Sequence, residues 1–302
     1  YIMDQVPENM RPRVYARCLA QTIDPDDFVH VWGMYPWMSK YEKMVANFVD
    51  GILCASEEMV AHIKIAGWDT ELYVTGLPFG KEEVNMRVPD REYMYRNRSN
   101  RVCFAARWDQ EKQPNFYMDL AHQWSLTHEL YSEAATPEPK TEFAICCGGP
   151  LRSNDPELVK RARELEEIEV IKIYENLKKD EYYSILADSK VLFNCALQDW
   201  VSNTVSEADT LNTMTLFPAY RSFPEVFANN SEQMYIPWSP EDAMRKLEWQ
   251  LDRNVPPKWV GKVSNYQDGT IDRTLDVFQN PIDTQHKRGG NRYRNMVNVP
   301  KY

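Results

Sequence analysis

The feature that most constrains the fold is the alternation of short apolar runs with amphipathic stretches along the chain. In the second half, five apolar runs are separated by segments of helical pattern: RVCFAA, EFAICC, EVIKIY, KVLFNCAL and TLFPAY. Strands that alternate with helices pair in parallel, with the helices covering the faces of the sheet. We therefore predict an α/β fold with parallel sheets.

The first 80 residues show the same alternation. A short strand, Phe28–Val31, runs into the aromatic stretch WGMYPWM, and two helices then alternate with the strands GILCA and LYVTGLPF. We predict two Rossmann-like lobes, divided into a partial first lobe (1–80), a polar linker (81–100), a second lobe (101–255), and a C-terminal helix with a basic tail (256–302). Because Tyr1, Ile2 and Met3 already resemble a strand, we expect the first lobe to be short or N-terminally truncated.

Charge and hydropathy exclude several classes of protein. A net charge of −10 argues against wholesale binding of nucleic acid, which needs basic surface. Contact with a polyanion or DNA stays open through the basic tail, whose cations are Lys287, Arg288, Arg292, Arg294 and Lys301. The apolar runs are shorter than the roughly 20 residues that span a bilayer. With no signal peptide and no C-x-x-C pair, we expect a soluble, cytoplasmic protein with free thiols.

Parallel sheets bind ligands beyond the carboxyl ends of their strands, so the polar residues there are the candidates. Arg107 and Lys112 follow RVCFAA, and this pair of cations suits a diphosphate, although two surface cations would look the same. After EFAICC, Gly148 and Gly149 allow close approach of a ligand or form a plain turn. After EVIKIY, Tyr174 and Asn176 suit a flat base or belong to an ordinary loop.

The richest strand end follows KVLFNCAL. Asp199 and Glu207 are eight residues apart, with hydroxyl and amide side chains between them at the expected start of a helix: Ser202, Asn203 and Thr204. The N–H groups of a helix start favour phosphate, and a carboxylate accepts hydrogen bonds from vicinal ribose hydroxyls. A capped helix with a solvated Glu207 is the alternative.

The order of these elements, from Val49 to Asn254, resembles the retaining GT-B glycosyltransferases of the family-four group (glycosyl transferases group 1). That group has a strand leading to a serine, as in VDGILCAS, then an Arg-x4-Lys element and a glycine-rich strand end. An E-x7-E element and a Pro-Glu follow; here they read D-x7-E and Pro224-Glu225. The group usually has a glycine after the helix, where Asn212, Thr213 and Met214 stand here.

The resemblance implies roles for these residues. Arg107 and Lys112 would neutralise the donor diphosphate without a metal, and Asp199 would contact the transferred sugar. Ser202, Asn203 and Thr204 would offer N–H groups to phosphate, and Glu207 would hold the ribose. The family often has a histidine near the reacting carbon. His30 is the best match, and a core or capping histidine is the alternative.

We therefore expect a hexosyltransferase or related enzyme that takes a nucleotide-diphosphate sugar as donor substrate and needs no further cofactor. The acceptor stays open among a glycan, a lipid, a protein side chain and a modified DNA base. An inactive relative acting as a binding or assembly subunit is the first alternative, since Asp199 replaces the usual Glu and the glycine is missing. A two-lobed epimerase is the last.

Overall fold

The computed structural model describes residues 6–7, 10, 12–19, 21–88, 97–131, 140–227, 230–253 and 266–280. The chain divides into two compact units, one containing residues up to Leu77 together with those from Gly269, the other running from Pro78 to Asp268. The expected strand at Tyr1–Met3 and the cations of the basic tail lie outside the described residues. No helix among the described ranges is long and apolar enough to cross a membrane.

The first unit holds a three-stranded parallel sheet. Its strands are β1 (Tyr15–Arg17), β2 (Gly51–Cys54) and β3 (Leu72–Val74), in that order. Helices α1 (Phe28–Val31) and α2 (Tyr35–Phe48) lie between β1 and β2, and α3 (Glu57–Ile65) lies between β2 and β3. Ile52 in the central strand is opposite both Ala16 and Leu72, which fixes the register.

The expected strand at Phe28–Val31 is wrong, because these residues form α1. Asp27 caps the helix: its side chain accepts a hydrogen bond from the backbone N–H of Val29 at 3.0 Å. A four-residue apolar run is too short for its periodicity to distinguish a strand from a helical turn, and the cap decides it here.

The second unit holds a six-stranded parallel sheet. Its strands are β4 (Ser99–Phe104), β5 (Glu142–Cys146), β6 (Ile171–Tyr174), β7 (Ser189–Phe193), β8 (Met214–Pro218) and β9 (Met234–Tyr235). The spatial order is β6-β5-β4-β7-β8-β9, the doubly wound arrangement in which strands β5 and β6 are added on one side of β4 and strands β7 to β9 on the other. The prediction of an α/β fold with parallel sheets is confirmed.

Seven helices surround this sheet in the described part of the unit. They are α4 (Lys81–Arg87), α5 (Pro114–Tyr131), α6 (Pro156–Glu167), α7 (Lys179–Asp188), α8 (Asn203–Thr210), α9 (Phe223–Val226) and α10 (Pro240–Leu251). The largest core cluster joins α5, α6 and α10 to the central strands, with Val102, Tyr117 and Val191 fully buried. The Tyr117 hydroxyl is 2.9 Å from the Val102 carbonyl and 3.0 Å from the Ala144 carbonyl, and its one proton is shared between these two acceptors.

The described ends of the expected linker, 81–88 and 97–100, contain parts of regular elements. Lys81–Arg87 is α4, whose Val84 is buried, and Ser99 already belongs to β4. Glu82 and Glu83 lie in the first turn of α4 and Arg87 in the last, as the helix dipole favours. A helix with one buried apolar residue leaves too weak a pattern to be read from the sequence.

The C-terminal helix, α11 (Thr270–Gln279), belongs to the first unit. Its Val277 is buried against Leu53 and Tyr73 of the sheet. Arg17 of β1 donates to the carbonyl of Gly76 at 2.6 Å and to the Thr274 hydroxyl at 3.3 Å. The bond between Arg17 and Thr274 joins residues 257 positions apart in sequence into one folded unit.

Candidate functional site

The switch point between β4 and β7 is the position at which this sheet topology opens a ligand crevice. The segment after β4 carries Arg107 and then a 3-10 turn, Gln110–Lys112; the segment after β7 carries residues 194–202. The two segments are bound together. The N–H of Leu197 donates to the Glu111 carbonyl at 2.8 Å, and the Cys195 thiol donates to the Lys112 carbonyl at 3.3 Å.

Lys112 is the main link between them. Its ammonium group is 3.2 Å from Asp199 Oδ1 and 3.4 Å from Gln198 Oε1, and it also donates to the Gln198 carbonyl. The side chain is only 8% exposed. An ammonium group has three N–H donors, and these three acceptors match that number. Lys112 therefore lies at the predicted position, but a phosphate would have to replace one of its present contacts.

Arg107 and Glu111 form an ion pair of 2.6 Å beside this link. The two side chains differ in environment: that of Arg107 is 51% exposed, whereas that of Glu111 is buried. Desolvation raises the pKa of Glu111, and the nearby Arg107 and Lys112 oppose that rise. Nothing in the sequence marks Glu111 as a buried residue, because a glutamate in a polar turn has the pattern of an exposed one.

The start of α8 is held by Asn194, the residue that follows β7. Its amide nitrogen is 3.1 Å from the Ser202 hydroxyl and 3.5 Å from Asp199 Oδ2. Ser202 is the N-cap residue, yet its side chain makes no capping hydrogen bond and lies 3.2 Å from the Thr204 hydroxyl instead. The first-turn N–H groups, which include those of Asn203 and Thr204, are therefore left to other partners, as suits an anion.

Two further polar residues in this region were missed. The hydroxyl of buried Ser222 is 2.9 Å from the Asp199 carbonyl and 2.7 Å from the Trp200 carbonyl, so its one proton is shared between them and holds the backbone of Asp199 and the residue after it. Asn194 is also buried, and its Oδ1 accepts from the N–H of Ala196. A polar residue directly after an apolar strand was the signal for Asn194; for Ser222 the sequence offers none.

Glu207 is not part of this group but is bound by α7. Its Oε1 lies 2.9 Å from the Tyr183 hydroxyl and 3.2 Å from Lys179 Nζ, and its Oε2 accepts from the Tyr182 hydroxyl at 2.8 Å. The side chain is 11% exposed. A carboxylate offers about four acceptor positions, so these contacts leave about one for a ligand.

The ends of β5 and β6 form a separate loop pair. The Asn176 N–H donates to the Gly149 carbonyl at 3.0 Å, and Asn176 has a left-handed φ of 55°. Added Cβ atoms would meet nothing within 4 Å at Gly149 and only the Leu177 carbonyl, at 3.8 Å, at Gly148. The turn does not itself require glycine at these positions, and the space above Gly149 is open to a ligand.

Tyr174 is directed elsewhere. Its hydroxyl is 2.9 Å from Glu142 Oε1 at the start of β5, and Arg101 also approaches it at 3.4 Å. The hydroxyl is thus held toward the amino end of the sheet rather than the carboxyl end, where a base would bind.

His30 lies in the first unit, within α1, and not at a strand end. Its Nε2 is 3.3 Å from the Thr22 carbonyl, and the centroid of its ring is 4.5 Å from that of the Tyr35 ring.

The missing glycine has a local substitute. Asn212 has a φ of 59°, the left-handed conformation that closes a helix. Its N–H donates to the Asp209 carbonyl, and that of Thr213 donates to the Ala208 carbonyl. The guanidinium of Arg98 also bonds to the Asn212 carbonyl at 2.6 Å. The loop therefore keeps the turn that a glycine would make.

Comparison with known proteins bears on the fold of the chain. No protein-family model matches the chain, and no curated protein matches it. Solved structures do match. A TarM mutant of S. aureus, in complex with Fondaparinux, alpha-GlcNAc-glycerol and UDP, aligns with a TM-score of 0.66 at 11% identity, covering 90% of this chain and 52% of that one.

Two other solved structures agree. A UDP-forming trehalose-phosphate synthase from Burkholderia xenovorans gives a TM-score of 0.62 at 10% identity, covering 90% of this chain and 67% of that one. WaaG, a glycosyltransferase involved in lipopolysaccharide biosynthesis, gives 0.53 at 13% identity, covering 75% and 62%. The fold is that of the GT-B glycosyltransferases, with Rossmann-like lobes. The chain spans about half to two thirds of the length of these structures.

Proposed function

We propose that this chain is a glycosyltransferase that moves a sugar from a nucleotide-diphosphate donor to an acceptor. The observation that carries the proposal is the hydrogen-bonded group at the switch point, in which Asp199 pairs with Lys112 and Asn194 joins Asp199 to Ser202 at the start of α8. Cations beside a helix start suit a diphosphate, and an adjacent carboxylate suits sugar hydroxyls.

The proposed roles follow from this placement. Arg107 and Lys112 stabilise the negative charge that develops on the diphosphate as the sugar leaves, by electrostatic interaction and without a metal. The first-turn N–H groups of α8 bind a phosphate, and Asp199 orients the sugar. Glu207 accepts a ribose hydroxyl at its remaining position, and the sugar is transferred with retention, as in the family that the sequence resembles.

A second function, an inactive binding or assembly subunit, is favoured by one observation. Lys112 already has three acceptors within the protein, and the three donors to Glu207 leave that carboxylate only about one acceptor position. A ligand would have to displace some of these contacts, whereas an inert module would keep them.

Calorimetry with a panel of UDP-, GDP- and ADP-sugars distinguishes the two. We expect one donor to bind, and Arg107→Ala to weaken that binding at least about tenfold through loss of a charged hydrogen bond to phosphate. Arg161→Ala is the matched control, because Arg161 is a partly exposed arginine of the same unit whose partners are Asn115 and Asp119. Absence of heat with every donor would establish the binding-subunit function instead.

A further inference from the structure

An aromatic pair lies at the carboxyl edge of the second-unit sheet, apart from the group around Lys112. Trp238 follows β9 and is 57% exposed, and Tyr220 follows β8 and is half-buried. Their ring centroids are 5.1 Å apart at an interplanar angle of 66°, an edge-to-face contact. Ile236, which is 63% exposed, extends the apolar surface. This is the edge at which parallel sheets bind ligands.

The turn that carries Trp238 is held by hydrogen bonds. The N–H of Ile236 donates to Asp242 Oδ2 at 2.8 Å, and that of Ser239 donates to the Ile236 carbonyl at 3.0 Å. Trp238 has a left-handed φ of 59°, which a bulky residue rarely adopts. Residues strained in this way cluster at ligand sites. The backbone therefore fixes the indole ring in a position where most of it stays in contact with solvent.

Tyr220 lies on the segment that supports Asp199. Its carbonyl accepts a hydrogen bond from the N–H of Phe223 at 3.2 Å, which closes a turn that contains Ser222. The Ser222 hydroxyl is 2.9 Å from the Asp199 carbonyl. Because β8 and β9 are paired in parallel, the segments that bear Tyr220 and Trp238 leave the sheet side by side. The aromatic pair is therefore continuous with the segment that we assign to the transferred sugar.

The charges around the pair are balanced. Segments 219–227 and 236–246 contain three cations and three acids: Arg221, Arg245, Lys246, Glu225, Glu241 and Asp242. Glu225 and Glu241 are exposed, so a polyanion would meet both carboxylates. An uncharged ligand with hydroxyl groups suits this surface better, because a carboxylate accepts hydrogen bonds from hydroxyl groups and an indole face packs against C–H groups.

We propose that the Tyr220–Trp238 pair binds a neutral saccharide chain, with one sugar ring packed on the indole of Trp238. A pyranose ring presents C–H groups on its faces and hydroxyl groups around its rim, so it matches a flat aromatic side chain bordered by carboxylates. The site names a glycan as the acceptor, and in that role it rests on the proposed function. Binding of the saccharide itself needs no nucleotide sugar.

Calorimetry of the full chain with maltohexaose, cellohexaose and chitohexaose, each without a nucleotide sugar, tests the proposal. We expect one of the three to bind. Trp238→Ala should weaken its affinity about tenfold, through loss of the stacked ring, and Trp238→Phe only about threefold, because a smaller aromatic ring remains.

The matched control is Trp249→Ala. Trp249 is a half-buried residue of α10 in the same unit, and the Arg253 guanidinium lies 3.4 Å from the centroid of its ring. The end of α10 lies at the opposite edge of the sheet, where Lys190 of β7 donates to the Leu251 carbonyl. This variant should bind the oligosaccharide as the wild type does. Circular dichroism verifies that each variant folds.

The proposal is overturned if none of the three oligosaccharides binds, or if Trp238→Ala binds as tightly as the wild type. It is also overturned if single-stranded oligothymidylate binds in place of the saccharides and Trp238→Ala abolishes that binding, or if Trp238→Ala dissociates a dimer of the wild-type chain. The donor panel is read separately. Donor binding without oligosaccharide binding removes only the saccharide site, whereas oligosaccharide binding through Trp238 without donor binding removes only the proposed transferase.

Discussion

Lys112 Nζ lies 3.2 Å from Asp199 Oδ1, across the gap between the carboxyl ends of β4 and β7. The two residues are 87 positions apart in the sequence, and the Lys112 side chain is nearly buried. Their pairing forms before any ligand arrives, so the loop that precedes α8 is held in place by the cation that we assign to the diphosphate.

Replacing Lys112 by Met should therefore affect both folding and donor binding. The carbonyl of Gln198 and the Asp199 carboxylate lose a donor, which lowers the free energy of unfolding by about 1–3 kcal/mol. Lys190→Met is the matched control: Lys190 lies in β7 and donates to the Leu251 carbonyl at 2.6 Å. Urea denaturation should show a lower free energy of unfolding in both variants. Calorimetry should show a loss of donor affinity in Lys112→Met alone. Equal donor affinity in the two variants would remove Lys112 from the site.

Much of the second unit could be predicted because each of its strands is an apolar run between polar breaks. Given a parallel sheet, Arg107, Lys112 and Asp199 had to lie at one edge, and the structure places them there. What could not be predicted depends on contacts distant in sequence. Tyr174 lies at the end of the predicted strand, but its direction is set by Glu142. The burial of Glu111 depends on packing of the 194–202 segment, which no local pattern records.

The first unit was harder to predict for a different reason. Its elements are short, and a run of four apolar residues such as Phe28–Val31 fits a strand or a helical turn equally well. The capping side chain of Asp27 selects the helical turn over the strand. An aspartate before an apolar run does not by itself identify a helix start. His30 consequently lies on a helix rather than at the strand end where we expected it.

The contacts of Glu207 with Tyr182 and Tyr183 lead to a prediction on nucleotide selectivity. If Glu207 accepts a ribose hydroxyl, Glu207→Gln should reduce the preference for a ribose donor over its 2′-deoxy analogue several-fold, because the amide keeps one acceptor oxygen but loses the charge. Tyr183→Phe should reduce that preference several-fold, because Oε1 loses one of the donors that orient it. Affinities for the two donors, measured by calorimetry, give the ratio.

Tyr117→Phe is the control for this pair of variants. It also removes a buried tyrosine hydroxyl, one that donates to the Val102 and Ala144 carbonyl groups, and should lower stability by about 1 kcal/mol or more. Its donor preference should stay that of the wild type. A ribose preference in Glu207→Gln equal to that of the wild type would show that Glu207 is a structural residue of the α7–α8 contact.

The left-handed Asn212 predicts a stabilising change. Glycine adopts this conformation without the Cβ clash, so Asn212→Gly should raise the free energy of unfolding by about 0.5 kcal/mol. Asn212→Ala should lower it by about 1 kcal/mol, since alanine lacks the local polar contacts that help asparagine there. Thermal denaturation of both variants gives the sign of each effect. If glycine destabilises the protein, the Asn212 side chain makes a contact that outweighs the backbone strain.

The buried Glu111 predicts a pH dependence of stability. Desolvation raises its pKa above the ordinary value of 4.5, so the folded protein holds this proton at pH values where the unfolded chain has lost it. The contribution of Glu111 is therefore fully present below pH 4.5 and is lost as pH rises through the folded-state pKa. Glu111→Gln cannot titrate, and it keeps the size and the hydrogen-bonding end of the side chain. Urea denaturation across this range gives the free energy of unfolding of wild type and of Glu111→Gln. With rising pH, the value for the wild type should fall relative to that for Glu111→Gln, and the difference should then level off. A difference that moves the other way would mean that the Arg107 ion pair, and not burial, controls the titration of Glu111.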